Sequence, residues 1–389
     1  MNAHHTLRLL DPATSAVRVG LDSDPAHGAV MPPLHLSSNF SFEGFGAKRP
    51  YDYSRSGNPT RDLLGEALTV LEGGAGAVVT ASGMAALDLV FAQVLPGQQI
   101  VAPHDCYGGT HRLLSRRAER GGFDIAFVDQ SDPDALKAAL ARDTALVLVE
   151  TPSNPLLRVV DIAAVGELAH AAGARLAVDN TFLSPALQQP IPLGADYVIH
   201  STTKYINGHS DVVGGAVVAA NPDDVTLLAD WANTVGITGA PFDAYQTLRG
   251  LRTLSVRIER QARTAGAVAA LLARHPAVSH AYYPGLPDHP GHAIAARQQR
   301  GFGAMVSFEL HGQEAAVRRL LSHLRLYTLA ESLGGVESLI AHPATMTHAA
   351  MDPDARVRAG ITDGLLRLSI GLEHEADLLA DLERGLNAL

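Results

Sequence analysis

The chain has 389 residues, with 47% hydrophobic and 18% charged side chains, enough apolar material for a buried core and too little charge for a disordered chain. Its net charge of −10 excludes a general attraction to nucleic-acid phosphates. No run approaches the roughly 18 consecutive apolar residues of a membrane span, and at about 150 residues per domain the length predicts two to three domains.

Residues 1–60 read as an irregular arm. Pro32, Pro33, Gly44, Gly46, Pro50, Gly57 and Pro59 break every period, while Phe40, Phe42, Phe45, Tyr51 and Tyr53 favour packing onto something, such as a second subunit. From residue 61 the pattern turns regular. RDLLGEALTVLEGG predicts a helix with a Gly-Gly stop. Seven apolar runs then predict strands: 75–81, 99–103, 124–129, 145–150, 175–180, 196–201 and 214–220. Helical segments lie between most of them, which predicts an α/β fold built on a mainly parallel sheet. The runs are apolar throughout, as befits strands covered on both faces. Near residue 245 the character changes. One long helical stretch is expected over 245–275, then the short strands AYYPG, AMVSFEL and LLRLSIGL, the helix EAAVRRLLSHL, and an acidic C-terminal helix read as a solvated face. The expected organisation is an arm (1–60), a large domain (61–245) and a smaller α+β domain (246–389).

Ligands of open parallel sheets bind at the carboxyl ends of the strands, so the polar residues just beyond each strand are the candidates. Ser82-Gly83, with a helix starting near Met84, reads as a phosphate cradle or as an ordinary helix cap. Tyr107, before Gly108-Gly109, reads as a ring that covers a flat cofactor or as a core tyrosine. Asp179 ends a buried strand and needs a cation, either a protonated ring nitrogen or a structural partner; a helix cap is the other reading. Lys204 follows the polar run Ser201-Thr202-Thr203. The chain uses only three lysines, Lys48, Lys137 and Lys204, among 30 basic residues. Arginine serves for ion pairs and anion binding, but an imine requires an amine. A lysine beyond a buried strand suits that role better than Lys48 or Lys137, which read as surface residues. Together the four strand ends suit pyridoxal 5′-phosphate. The single cysteine, Cys106, cannot form an internal disulfide. With an N-terminus lacking the apolar core of a secretion signal, it predicts a cytoplasmic protein. There are 18 histidines but no HExxH or CxxC, so no metal is expected. No GxGxxG opens the first strand–helix unit, which argues against a nucleotide-dependent dehydrogenase.

The segments YDYSRSGNPTR (51–61), ASGMAA (81–86), DCYGGTHR (105–112), ETPSNP (150–155), VDNTF (178–182), HSTTKYINGHSDVVGG (200–215) and ESLGGVESL (331–339) resemble the Cys/Met-metabolism family of pyridoxal-phosphate enzymes over nearly the whole chain. The resemblance implies the fold type I transferase architecture. It implies that Lys204 is the Schiff-base lysine and proton shuttle, that Asp179 pairs with the pyridinium nitrogen and that Tyr107 stacks on the ring. Gly83, Met84, Ser201 and Thr203 would hold the phosphate, joined by Tyr53 and Arg55 from the arm of a neighbouring subunit. The assembly implied is a homodimer with shared sites, usually paired into a tetramer. Arg367 would clamp the substrate α-carboxylate with Asn154 and Ser332 nearby, and Arg112 and Glu331 would face the distal substrate groups.

The activity implied is γ-replacement on O-succinylhomoserine or another O-acylhomoserine by cysteine, giving cystathionine. The alternatives are γ-elimination of cystathionine, sulfhydrylation of an acylhomoserine, or a non-catalytic protein of the same fold. His342 resembles the synthases of the family and Ser56 the lyases, so synthase activity with lyase side activity is expected.

Overall fold

The computed structural model describes Leu7, residues 10–349, Met351 and residues 353–389. Its first long helix, Pro59–Glu72, starts where the sequence dictates. Asn58 caps it by accepting from the N–H groups of Thr60 and Arg61, and proline follows at the first helical position. It stops at Gly73, whose φ of 75° closes the last turn in the left-handed conformation.

Seven strands then form one sheet: β1 (Gly76–Thr80), β2 (Gln99–Pro103), β3 (Asp124–Val128), β4 (Thr144–Glu150), β5 (Arg175–Asp179), β6 (Tyr197–His200) and β7 (Gly215–Ala219). Each lies within a residue of its predicted ends. The spatial order is β1-β7-β6-β5-β4-β2-β3. Strands β3, β2, β4, β5 and β6 run parallel, while β7 is antiparallel to both β6 and β1.

Alternation along the buried strands feeds two cores. Leu146 and Leu148 of β4 join Ile100, Ala177, Ile199 and Val217 against Ala86, Leu87 and Leu114. Val147 and Val149 join Val101, Leu176, Val178 and Val198 against Leu64, Leu68, Val165 and Ala169. The chain leaving β2 therefore crosses on one face and the chain leaving β4 on the other. The carboxyl edge opens into a crevice where such neighbouring connections diverge.

A second sheet carries β8 (Val278–Tyr282), β9 (Met305–Leu310), β10 (Thr328–Leu329), β11 (Leu339–Ala341) and β12 (Leu365–Ser369), in the order β10-β11-β12-β9-β8. Two expectations change here. The long helical stretch is two helices, Pro241–Leu251 and Leu254–Leu272. The break frees the carbonyl of Gly250, which accepts from Arg257 at 2.8 Å, and Gly250 lies too close to Asn207 for any side chain. The C-terminal helix Glu375–Leu386 is solvated on one side only. It buries Leu378, Leu382 and Leu386, and its Asp381 accepts from the N–H groups of Arg325 and Leu326.

In the arm, the described residues 20–57 form isolated bridges, Asn39 with Tyr53 and Gly44 with Ala47, rather than helices or ladders. Leu36, Phe42, Phe45 and Tyr53 stand exposed. No helix among the described residues is long and apolar enough to cross a membrane.

One buried polar cluster ties the first helix to the sheet. Glu72 Oε1 lies 2.6 Å from His200 Nε2 and 3.0 Å from Asn180 Nδ2, and both Glu72 and His200 are fully buried. Replacing Glu72 by alanine leaves the buried His200 Nε2 without this partner and costs Asn180 Nδ2 one of its two acceptors, Gln188 O being the other, so Glu72→Ala is expected to lower the unfolding free energy by about 2–3 kcal/mol. Urea denaturation with the holoprotein and the apoprotein checks this.

Candidate active site

The carboxyl ends of the parallel strands and the second sheet enclose a cavity of about 400 Å³. At one end lies the turn between β1 and the helix Gly83–Phe91. Ser82 caps that helix through its Oγ, which accepts from Ala85 N at 3.1 Å. The first N–H groups of a helix have no intrahelical partner and face whatever anion lies before them. The turn is held by close approach from two sides. A Cβ on Gly83 would sit 2.7 Å from Cβ of Ser201, and a Cβ on Gly215 would meet Ser82 O and lie 2.7 Å from Gly83 N. Because β7 is antiparallel, its first residue pairs with the last residue of β1, Thr80 with Gly215. This places a glycine against the turn.

Ser201, packed against this turn, and Thr203 line the cavity beside it. Ser201 N donates to Thr181 Oγ1 at 2.9 Å. Thr203 Oγ1 donates to Gly214 O at 3.1 Å and accepts from Gly214 N at 3.0 Å, so its proton points to the backbone.

Asp179, at the end of β5, lies at depth on the cavity wall. Burial raises its pKa, and hydrogen bonds from Thr181 oppose that shift. No side-chain cation is bonded to Asp179 among the described residues. Tyr107 follows β2, and its ring packs over Gly109, where a Cβ would lie 2.5 Å from ring Cε1 and 3.1 Å from Met84 Sδ. Tyr107 N donates to Glu150 Oε2 at 3.0 Å.

Lys204 Nζ donates to Ser332 Oγ at 2.7 Å. Burial, and then the nearby Arg367 guanidinium, lower its pKa to about 8, while Glu331 acts in the opposite sense. Ser332 reaches Lys204 from the second sheet's side with φ 83°, a left-handed backbone unusual for serine and common at functional sites. Arg367, on β12 opposite Ala341 and Ser307, is 2% exposed. Its Nη1 donates to Asn154 Oδ1 at 2.8 Å and its Nη2 to Ser332 O at 2.9 Å. Its Nε is buried without a partner among the described residues. Burial lowers its pKa only to about 10, so it stays charged at neutral pH.

The cavity thus gathers Gly83, Met84, Tyr107, Asn154, Asp179, Ser201, Thr203, Lys204, Glu331, Ser332 and Arg367. It does not gather Tyr53, Arg55 or Arg112. Arg55 Nη1 bonds Asn233 Oδ1 at 3.0 Å, and its guanidinium lies 5.6 Å from the centre of the Tyr53 ring. Arg112 is exposed on the helix Gly108–Glu119. Glu150, Thr181 and Thr347 also line the cavity, although the motif reading assigned them no role. Glu150 ends the run ALVLVE, so the strand-end rule would have found it.

The donor set fits pyridoxal 5′-phosphate on its own chemistry. A half-buried carboxylate with no side-chain cation bonded to it among the described residues suits a protonated ring nitrogen, a helix start suits a phosphate, and an amine with a lowered pKa suits an aldehyde. The unsatisfied Nε of Arg367 suits the carboxylate of an amino acid.

Comparison with known proteins agrees with that chemistry. The family model described as Cys/Met metabolism PLP-dependent enzyme matches residues 13–387. The chain is 60% identical to the cystathionine gamma-synthase of Escherichia coli strain K12 over 97% of this chain and 98% of that protein. It is 45% identical to the cystathionine gamma-lyase of Dictyostelium discoideum over 96% and 97%. The crystal structure of cystathionine gamma synthase from Xanthomonas oryzae pv. oryzae with aminoacrylate and cysteine superposes with a TM-score of 0.96 at 62% identity, covering 97% of this chain and 98% of that one.

Gly215→Ala pushes a methyl group into the Ser82–Gly83 turn. The variant is expected to lose about 2 kcal/mol of stability and to bind pyridoxal 5′-phosphate at least ~10-fold more weakly, because the turn is displaced where the phosphate docks. Absorbance titration of the apoprotein and thermal denaturation check both.

Proposed function

The chain belongs to the Cys/Met metabolism PLP-dependent enzyme family, and from that premise we propose that it joins an O-acylhomoserine, O-succinylhomoserine first among them, to L-cysteine by γ-replacement to give L-cystathionine. The observation that carries the reading is the pairing of Lys204 and Arg367 in one cavity. An amine of lowered pKa stands beside a buried guanidinium whose Nε has no partner among the described residues. That pair recognises an α-amino acid and acts on its Cα. The 60% identity to a cystathionine gamma-synthase, against 45% to a gamma-lyase, supports replacement over elimination.

Pyridoxal 5′-phosphate, when bound, supplies the electron sink for charge that develops at Cα. The residues of the chain do the rest. Arg367, oriented by Asn154 and by Ser332 O, grips the α-carboxylate through its planar fork. Asp179 keeps the ring nitrogen protonated, so that the sink stays electron-poor. Tyr107 covers the ring, and the helix start at Gly83 and Met84 receives the phosphate together with Ser201 and Thr203. Lys204 Nζ takes the proton from Cα and serves again at Cβ. Its lowered pKa leaves a usable neutral fraction near neutral pH, and Ser332 Oγ holds it in line. Glu331 stands exposed at the rim beside Ser332, placed for the distal groups of the substrate.

The arm is assigned to a second copy of the chain, where Tyr53 and Arg55 would complete the phosphate end. The exposed Phe42, Phe45 and Tyr53 of the arm, together with Val213 at the cavity rim, support this, and a dimer of such dimers is the assembly proposed. The sole cysteine, buried Cys106, suits a cytoplasmic setting. Elimination of cystathionine is the second reading, favoured by Ser56. That serine donates within the arm to Asp52 and to Tyr53 O.

Steady-state assays with O-succinylhomoserine plus cysteine, against cystathionine alone, test the reading. Faster synthesis of cystathionine is expected. Faster release of 2-oxobutyrate from cystathionine would sink the synthase assignment.

The state of Lys204 has its own signature. Only the neutral amine attacks an aldehyde, and a pKa of about 8 in place of 10.5 puts that form within reach. Uptake of pyridoxal 5′-phosphate by the apoprotein should therefore accelerate as pH rises, with a midpoint near 8. Arg367→Ala removes a like charge, so the midpoint should move upward. Stopped-flow absorbance across the pH range measures both.

A further inference from the structure

Glu150 is a buried acid of the cavity, 7% exposed, with no part in the chemistry above. It ends β4 beside β2, at the place where the two strands send their connections to opposite faces of the sheet. Its carboxylate spans that opening. Oε2 accepts from the N–H of Tyr107, on the chain leaving β2, and Oε1 accepts from the N–H of Asn154, on the chain leaving β4, both at 3.0 Å. Asn154 Oδ1 in turn accepts from Arg367 Nη1 at 2.8 Å. One rigid planar group therefore fixes the backbone of the ring-covering residue and of the residue that aims the guanidinium.

The placement is costly. Burial pushes the Glu150 carboxyl well above the usual carboxylate range, and Asp179 adds to the rise, while the two N–H donors oppose it. An amide of the same shape has only one acceptor oxygen and would turn a donor toward one of the two N–H groups. A glutamate that merely closed a turn would not need both oxygens in this arrangement.

We propose that Glu150 is a positioning residue that couples the cofactor end of the site to the carboxylate clamp, setting the pose of Tyr107 and the aim of Arg367 through a single carboxylate. The proposal rests on the reading of the cavity given above and adds a residue to it. Its consequence is that loss of the second acceptor oxygen harms cofactor binding and carboxylate recognition together.

The test compares wild type with Glu150→Gln. Three quantities are read: the dissociation constant of pyridoxal 5′-phosphate by absorbance titration of the apoprotein, the visible circular dichroism of the bound cofactor, and the spectral binding constants of L-alanine and ethylamine, which differ by the carboxylate. The variant is expected to bind the cofactor about 10-fold more weakly, to change the circular dichroism band, and to lose about 10-fold of the preference for L-alanine, the scale of one charge-assisted hydrogen bond. In an Asn154→Ala background the same substitution should still weaken cofactor binding but leave the remaining preference unchanged, because its route to Arg367 is already cut.

Cofactor affinity and preference both within twofold of wild type would overturn the proposal, as would full additivity with Asn154→Ala. A variant that loses only melting temperature, with both constants retained, points to a structural role and also overturns it. If Glu150→Gln does not fold, Glu150→Asp replaces it. That carboxylate is one methylene too short to reach both N–H groups, so the same two losses are expected and retention of both refutes the idea. Arg367→Ala separates the two levels. Should it leave the preference for L-alanine intact, the clamp assignment falls, and Glu150 is judged on cofactor affinity and circular dichroism alone.

Discussion

Two cations in one cavity, a half-buried lysine and a buried arginine, set the terms for the rest of this structure. Lys204 comes from the end of β6 in the large sheet and Arg367 from β12 in the small one, and Ser332 touches both, through its hydroxyl to Lys204 and through its carbonyl to Arg367. Like charges held at depth repel, and the pair responds unequally. The guanidinium, delocalised and strongly basic, keeps its proton, while the lysine's pKa falls to about 8. Burial and one neighbouring arginine thus prepare an amine for chemistry that an exposed lysine performs poorly. Three acids line the same cavity: Glu331 acts on both cations in the opposite sense to burial, while burial raises the pKa of Glu150 and of Asp179.

The fold delivers these groups by a simple device. In a parallel sheet covered on both faces, polar side chains have room only beyond the strand ends. Tyr107, Glu150, Asp179 and Lys204 are each the last residue of a parallel strand or lie within a few residues of its end. The exception to the parallel rule matters as much. Because β7 runs backward, its initial Gly215 meets the Ser82–Gly83 turn that begins the helix at the far end of the cavity. The second sheet then closes the cavity over the edge and supplies Arg367 from a strand whose other residues are wholly buried.

Much of this was legible from residues alone, for identifiable reasons. The strands could be placed to within a residue because runs such as ALVLVE are apolar on both faces and stop at polar residues. Lys204 stood out because arginine replaces lysine almost everywhere else in the chain. The break between the helices Pro241–Leu251 and Leu254–Leu272 was not legible, since the apolar period continues through it. It follows from the packing of Gly250 against Asn207 and from the reach of Arg257. The inward face of the C-terminal helix was hidden for a related reason. Its acids dominate the composition, and Asp381 is buried against backbone N–H groups rather than solvated.

The sequence by itself determined the α/β architecture, the strand ends where chemistry collects, and the kinds of group gathered there: an amine, an acid, a ring and an anion-binding turn. These follow from local hydrophobic pattern and from what each side chain can do. Only the tertiary structure decided how the groups act on one another. The Lys204–Ser332 contact spans 128 positions of sequence, Arg367–Asn154 spans 213, and the Glu150 carboxylate bridges connections that diverge onto opposite faces of the sheet. The tuned lysine, the unsatisfied Nε of Arg367 and the shared acid exist because two sheets remove water from these groups at once, and burial of that kind is a property of packing, which no single segment encodes.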